Sequence, residues 1–187
     1  MRPQKVLDTE IMAGLTKVFR SKGYEGASMK DLAEATGLKK ASLYHRFPNG
    51  KQEMAEAVLN HIGEWVAGNI FQAFADEEVS APIRLKNGIS QIQQLYHGGE
   101  ETCIFRALSM QAGLDLFDAQ IQNGMQEWIS AFYKLGLALD LPIKQAQALA
   151  IQSLIDIQGS LIVAKGLNDI TIFETTLKKI ESSYLKA

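Results

Sequence analysis

The stretch 28-SMKDLAEATGLKKASLYHRFPNGK-51 decides the fold. Ser28 is an N-cap residue type with Asp31 three positions on, and Met29, Leu32 and Ala33 supply the apolar face of a short helix that stops at Gly37. A second short helix, Lys40–Phe47, ends before Pro48, which cannot donate a backbone hydrogen bond and pushes its predecessor out of the α region. Two short helices around a glycine turn have the layout of a helix-turn-helix. Ala33 is small where the helices must cross, Leu38 and Leu43 fill the angle between them, and Lys40, Ser42 and His45 are left pointing outward. Such an outward helix suits the major groove of DNA, which is wide enough to admit it. The corner alone does not prove the function, because many helical proteins contain one and never meet DNA.

Working outward, Leu7, Ile11, Leu15, Val18 and Phe19 recur at helical spacing, so Lys5–Lys22 reads as an amphipathic helix with Gly23 as its C′ residue. From Lys51 the texture changes to long helices. The first runs to about Phe74, with Met54, Val58, Ile62, Trp65, Val66 and Ile70 on one stripe. After a linker at Asp76–Pro82, helices follow at about Ile83–Tyr96, Thr102–Ala112, Asp115–Asp140, Ile143–Gly166 and Asn168–Lys186. No run of alternating β-branched residues bounded by hairpin turns occurs, so the fold class is all-α.

The 187 residues are 47% hydrophobic and 21% charged, enough to build a sizeable core. The formal net charge of −2 conceals a split. Residues 1–50 carry nine basic and five acidic side chains, a balance of +4, whereas the rest carry ten and sixteen, a balance of −6. That asymmetry points to one end meeting a polyanion. Cys103 is the only cysteine, which excludes an intrachain disulfide and a thiolate zinc site and fits a reducing, cytoplasmic setting. The opening residues lack the apolar run of a signal peptide, and the most apolar later stretch, Gln145–Ile155, reads as too short and too Gln-rich to span a bilayer. No membrane partner is therefore expected.

Catalytic and metal chemistry find no foothold. His45, His61 and His97 are scattered without a paired ligand set, and no phosphate loop, nucleophile elbow or H-E-x-x-H string appears. The expectation is no cofactor, no metal and no enzyme. Cys103 lies in an apolar segment with Glu100 and Glu101 upstream, an arrangement that suits packing more than a reactive thiolate. Arg46 is open between covering Phe47 and pairing with Asp31 or Glu34.

The string Phe19, Gly23-Tyr24, Ser28, Asp31-Leu32-Ala33, Thr36-Gly37-Leu38, Lys40, Ser42-Leu43-Tyr44, Phe47 and Lys51 resembles the DNA-binding segment of the tetracycline-repressor (TetR) family of bacterial transcription regulators. The Phe-Pro-Asn-Gly-Lys ending and Thr102-Cys103-Ile104-Phe105 resemble a branch of that family with drug- and flavonoid-responsive repressors. The resemblance implies a helix-turn-helix DNA-binding domain over 1–50 and a helical effector-binding and dimerisation domain over 51–187. It places Ser28 at the cap of the second helix near phosphate, Lys40, Ala41, Ser42 and His45 on the recognition helix, and Tyr44 and Lys51 on the DNA backbone. Lys39 departs from the usual Ser-type N-cap and forgoes a side-chain cap worth roughly 0.5–2 kcal/mol, while placing a cation near phosphate.

The implied function is a homodimeric repressor of double-stranded operator DNA, released by a small hydrophobic or aromatic ligand. Trp65, Phe71, Tyr96, Phe105, Met110, Phe117, Met125, Trp128 and Phe132 are the candidate pocket residues, all after residue 60 and at spacings compatible with facing helices. Dimerisation is expected through the last two helices, on a face containing Ala146, Leu149, Ala150, Ser153, Leu154, Ile157, Leu161 and Ile162, extended by Ile172, Phe173, Leu177 and Ile180. The alternative is a ligand-binding helical bundle whose DNA-binding segment no longer functions.

Overall fold

The computed structural model of the chain describes residues 8–110 and 112–186, and among them there is no strand. Lys5 to Leu7 of the predicted first helix, and Gln111 within the predicted Thr102–Ala112 helix, lie outside the described residues. The chain divides into two compact units, residues 1–63 with 104–121, and residues 64–103 with 122–187.

The first unit opens with α1 (Asp8–Gly26), whose Gly23 takes φ 68° and breaks the helical winding where the sequence places its end. Then come α2 (Met29–Thr36), α3 (Lys40–Arg46) and the start of α4 (Lys51–Val66). Ile11, Leu15, Phe19, Leu32, Leu43 and Met54 are fully buried, so each helix contributes the apolar face that its periodicity marks. Gly14 lets α1 approach α2 closely: a Cβ there would lie 2.4 Å from the Ala35 carbonyl oxygen. The later short helix α7 (Ile104–Leu108) packs on α1, and the first part of α8 (Ala112–Ala138) belongs to the same unit. Glu25 accepts a hydrogen bond from the Gly113 N–H at 3.1 Å, and the Tyr24 ring stands edge-on to Phe117 with centroids 5.2 Å apart.

The second unit departs from the sequence reading at its first element. The predicted single helix to Phe74 is α4, then one π-helical turn at Ala67–Phe71, then α5 (Gln72–Ala75). Within that turn the Gln72 N–H reaches back five residues to the Ala67 carbonyl. α6 (Ala81–Leu95), α9 (Ile143–Leu167) and α10 (Thr171–Leu185) complete the unit with the rest of α8. α9 is longer than the Gln145–Ile155 stretch suggests: by length and composition it is long and apolar enough to cross a membrane, although eight of its residues are buried inside the protein. Asn168, at φ 52°, closes it with a left-handed cap.

The Tyr184 side chain is buried and its phenol oxygen makes no well-formed hydrogen bond. Burial pushes its pKa up to about 12, an effect that the Ser153 hydroxyl offsets only in part. A raised folded-state pKa means that the folded protein holds the proton longer than the unfolded chain does. Stability is therefore intact below the ordinary phenol range and is lost as pH rises through the folded value. Tyr184→Phe is expected to be neutral or stabilising at neutral pH and to flatten the alkaline loss of stability, read from urea titrations across that range.

Candidate nucleic-acid interface

The corner is built by local chemistry. Ser28, in an extended conformation, accepts a hydrogen bond from the Asp31 N–H at 3.2 Å, and the Asp31 carboxylate accepts from the Ser28 N–H at 3.1 Å and the Ser28 hydroxyl at 2.6 Å. This reciprocal pair satisfies donors at the start of α2 that have no partner within the helix. The Lys22 ammonium, 2.6 Å from Asp31, holds the carboxyl well below the usual range, with Ser28 adding to the effect. The pair is thus intact above the ordinary carboxylate range and is lost only as pH falls through the depressed value. At the other end Gly37 adopts φ 66°, its N–H and that of Leu38 closing on the Glu34 and Ala33 carbonyls.

α3 begins at Lys39 without a side-chain cap, as its sequence implies. Lys39, Lys40, Ala41, Ser42, Tyr44 and His45 are exposed, Leu43 is buried, and Tyr44 is 48% exposed despite its ring. Leu38, Ala41, Ser42, His45 and Arg46 line a shallow open depression beside that face. Arg46 pairs with Asp8, a partner the sequence reading does not include; Asp31 is occupied by Lys22, and Glu34 lies 3.8 Å from Lys30. No local spacing signals a pair 38 residues apart.

Lys51 sits differently from the free phosphate clamp that the resemblance implies. Its ammonium donates to the Tyr24 carbonyl at 2.7 Å and lies 4.4 Å from the centre of the Tyr24 ring. It caps the distorted end of α1 and keeps its other N–H groups for an outside acceptor. Gly50, at φ 68°, turns the chain into α4, where the Glu53 carboxylate accepts from the Asn49 N–H at 2.8 Å.

The nine candidate pocket residues are divided between the two units. Phe105, Met110 and Phe117 belong to the first unit, where Phe117 is core and Met110 is 61% exposed. In the second unit Phe71 meets Trp128 edge-on at 5.6 Å, and Trp128 stacks on Phe132 at 6.2 Å. Tyr96 instead contacts Phe173 at 5.8 Å, and Trp65 and Met125 are half-buried. A cavity of about 320 Å³ opens beside this cluster. Ala67, Phe71, Phe74 and Ala75 form one wall. Glu127, Ser130, Ala131 and Lys134 form the other, so of the nine only Phe71 lines it. Phase along an isolated helix cannot say which neighbour a ring meets. Among the described residues no group of acidic, histidine or cysteine side chains has metal-binding geometry.

A capped helix-turn-helix that exposes lysines, small polar groups and a tyrosine, in an all-helical chain, is the arrangement that DNA-binding transcriptional regulators use. Residues 11–58 match the family described as bacterial regulatory proteins, tetR family. The match covers the helix-turn-helix and the parts of α1 and α4 that flank it, so the N-terminal segment is of this family's DNA-binding type. It is 24% identical over 188 residues to an uncharacterised helix-turn-helix transcriptional regulator of Lactococcus lactis subsp. lactis, covering 95% of this chain and 92% of that one. Its fold is similar to a TetR transcriptional regulator from Legionella pneumophila, with a TM-score of 0.81, 20% identity, and 96% and 99% of the two chains covered. It is also similar to a cysteine mutant of the TetR family regulator CifR, in a structure that includes 26-bp operator DNA, with a TM-score of 0.73, 20% identity and 98% of each chain covered.

Proposed function

We propose that the protein is a cytoplasmic, homodimeric repressor that binds double-stranded operator DNA through residues 1–50 and is released by a small hydrophobic or aromatic ligand bound within 51–187. The observation that carries the reading is the exposed face of α3, where the side chains of Lys39, Lys40, Ser42, Tyr44 and His45 have no intramolecular hydrogen bond or ion pair among the described residues. Operator DNA in the structure with CifR supports it by kinship. A dimer reads two half-sites only when its recognition helices lie about one DNA turn, or a multiple, apart. A ligand that favours the non-binding spacing about 100-fold then changes occupancy usefully.

The face expected to dimerise is mostly core: Ala146, Ala150, Leu154, Ile157, Leu161, Phe173, Leu177 and Ile180 are buried inside the protein. The surface left for a second copy is another stripe of α9, which shares only Ile162 with the expected face. Ile151, Ile155 and Ile162 are each about half exposed, and Gly159 and Gly166 face open space. These positions follow one another at four- and three-residue spacing, so they form a single apolar ridge with gaps that a symmetric copy can enter.

The test is fluorescence anisotropy at several salt concentrations, on DNA from upstream of its own gene and on scrambled DNA. Lys51→Ala is expected to weaken both DNAs alike and to reduce the magnitude of the log K versus log salt slope by roughly 0.9 for each phosphate that is no longer neutralised. Ser42→Ala is expected to change base preference at one or two positions by about 1–3 kcal/mol and to leave the slope nearly unchanged. Equal affinity of the wild-type chain for both DNAs at every salt concentration would overturn the repressor reading and favour a ligand-binding bundle.

A further inference from the structure

The π turn at Ala67–Phe71 is the one place where α4 abandons regular winding, and such turns gather at functional sites. Here the irregularity is held in place. The Asn69 side-chain amide donates to the Trp65 carbonyl at 2.8 Å, supplying a donor where backbone pairing is stretched by one residue. The turn forms one wall of the 320 Å³ cavity, and the floor beneath it is fixed. Phe74 packs so closely on Gly88 that a Cβ there would lie 1.9 Å from the ring, and it meets Phe132 at 4.9 Å.

The opposite wall is a stripe of α8. Glu127 and Lys134 both rim the apolar floor, and neither side chain has a hydrogen bond or ion pair among the described residues. Seven residues apart on a helix, they stand about 10 Å from each other, too far to neutralise one another and close to the length of a small fused or linked ring system. A cavity of this size is at the small end of small-molecule sites and too small to seat a helix. The geometry points to a specific ligand class: we propose that the groove between the π turn and α8 binds a flat aromatic compound with a hydrogen-bond donor at one end, for the Glu127 carboxylate, and an anionic group at the other, for the Lys134 ammonium. This rests on the effector-binding reading above and locates that site.

6-Anilinonaphthalene-2-sulfonate, whose N–H and sulfonate stand on opposite sides of the naphthalene, carries this pattern and fluoresces on burial, and N-phenyl-2-naphthylamine is its counterpart without the anion. Titration of the full chain is expected to show one saturable sulfonate site, weakened about tenfold in Lys134→Gln and about tenfold weaker for the uncharged probe on wild type. The uncharged probe should not distinguish wild type from Lys134→Gln, and Ala131→Phe, which fills the cavity, should abolish binding of both. Thermal unfolding and DNA anisotropy without probe confirm that each variant folds. Where Ala131→Phe does not fold, the Lys134→Gln comparison decides alone. Absence of saturable binding, or sulfonate affinity unchanged in Lys134→Gln, overturns the site. A chain that binds operator DNA but fails these probe tests loses the site and keeps the repressor reading, whereas loss of operator preference with intact probe binding does the reverse.

Discussion

Gly14→Ala is expected to destabilise the N-terminal unit by on the order of 3 kcal/mol, a large part of the total stability of an ordinary domain. Two effects oppose each other. Replacing glycine by alanine inside a helix ordinarily gains up to about 1 kcal/mol. The new methyl group, however, would lie 2.4 Å from the Ala35 oxygen and 2.8 Å from the Ala35 carbonyl carbon, both backbone atoms that cannot rotate away. α1 and α2 must separate, and the packing of the core residues Leu15 and Leu32 loosens with them. Gly63→Ala is the control, since a Cβ there meets nothing within 4 Å. Urea titration should show the first variant less stable than wild type and the second equal or more stable. An unchanged midpoint for Gly14→Ala would mean that the helices do not approach as closely as the structure has them. Operator affinity should fall with the folded fraction, because Ser28 and the recognition helix are oriented by α2.

The second large effect concerns assembly. Ile155→Glu places a charge in the middle of the exposed α9 ridge, where Ile155 is 56% exposed. In a two-fold dimer the same surface patch meets itself, so the substitution loses apolar burial worth about 1.5–3 kcal/mol per isoleucine and crowds two carboxylates into one interface. The expected outcome is a monomer by sedimentation at micromolar concentration and at least about 100-fold weaker binding to a two-half-site operator, since a monomer forfeits the second half-site. Ile143→Glu is the matched control: Ile143 is 62% exposed but lies off the ridge. A dimer that survives Ile155→Glu would move the interface elsewhere.

These two positions also separate what was legible in the sequence from what was not. The helix-turn-helix was legible because its signals are local. Ser28 and Asp31 cap each other across three residues, Gly37 supplies the left-handed turn, and Pro48 stops the next helix, each acting within one turn of where it stands. The uncapped start of α3 at Lys39 could be read the same way. Helix existence followed from apolar periodicity, and most boundaries fell within a few residues of those observed.

The tertiary structure decided everything that depends on a distant neighbour. It tied the Lys51 ammonium to Tyr24, gave Arg46 to Asp8, and put α7 and the start of α8 with the N-terminal helices, so that Phe105 and Phe117 belong to a different unit from Phe71 and Trp128. It also wound one π turn into a helix whose sequence reads as continuous. The exposed ridge of α9 shows the physical reason most clearly. α9 is apolar around most of its circumference, so its sequence contains two candidate faces and no contrast in polarity to rank them. Only the tertiary packing around α9, in which α10 is its main neighbour, buries Ala150, Leu154 and Ile157 and leaves Ile151, Ile155 and Ile162 outside.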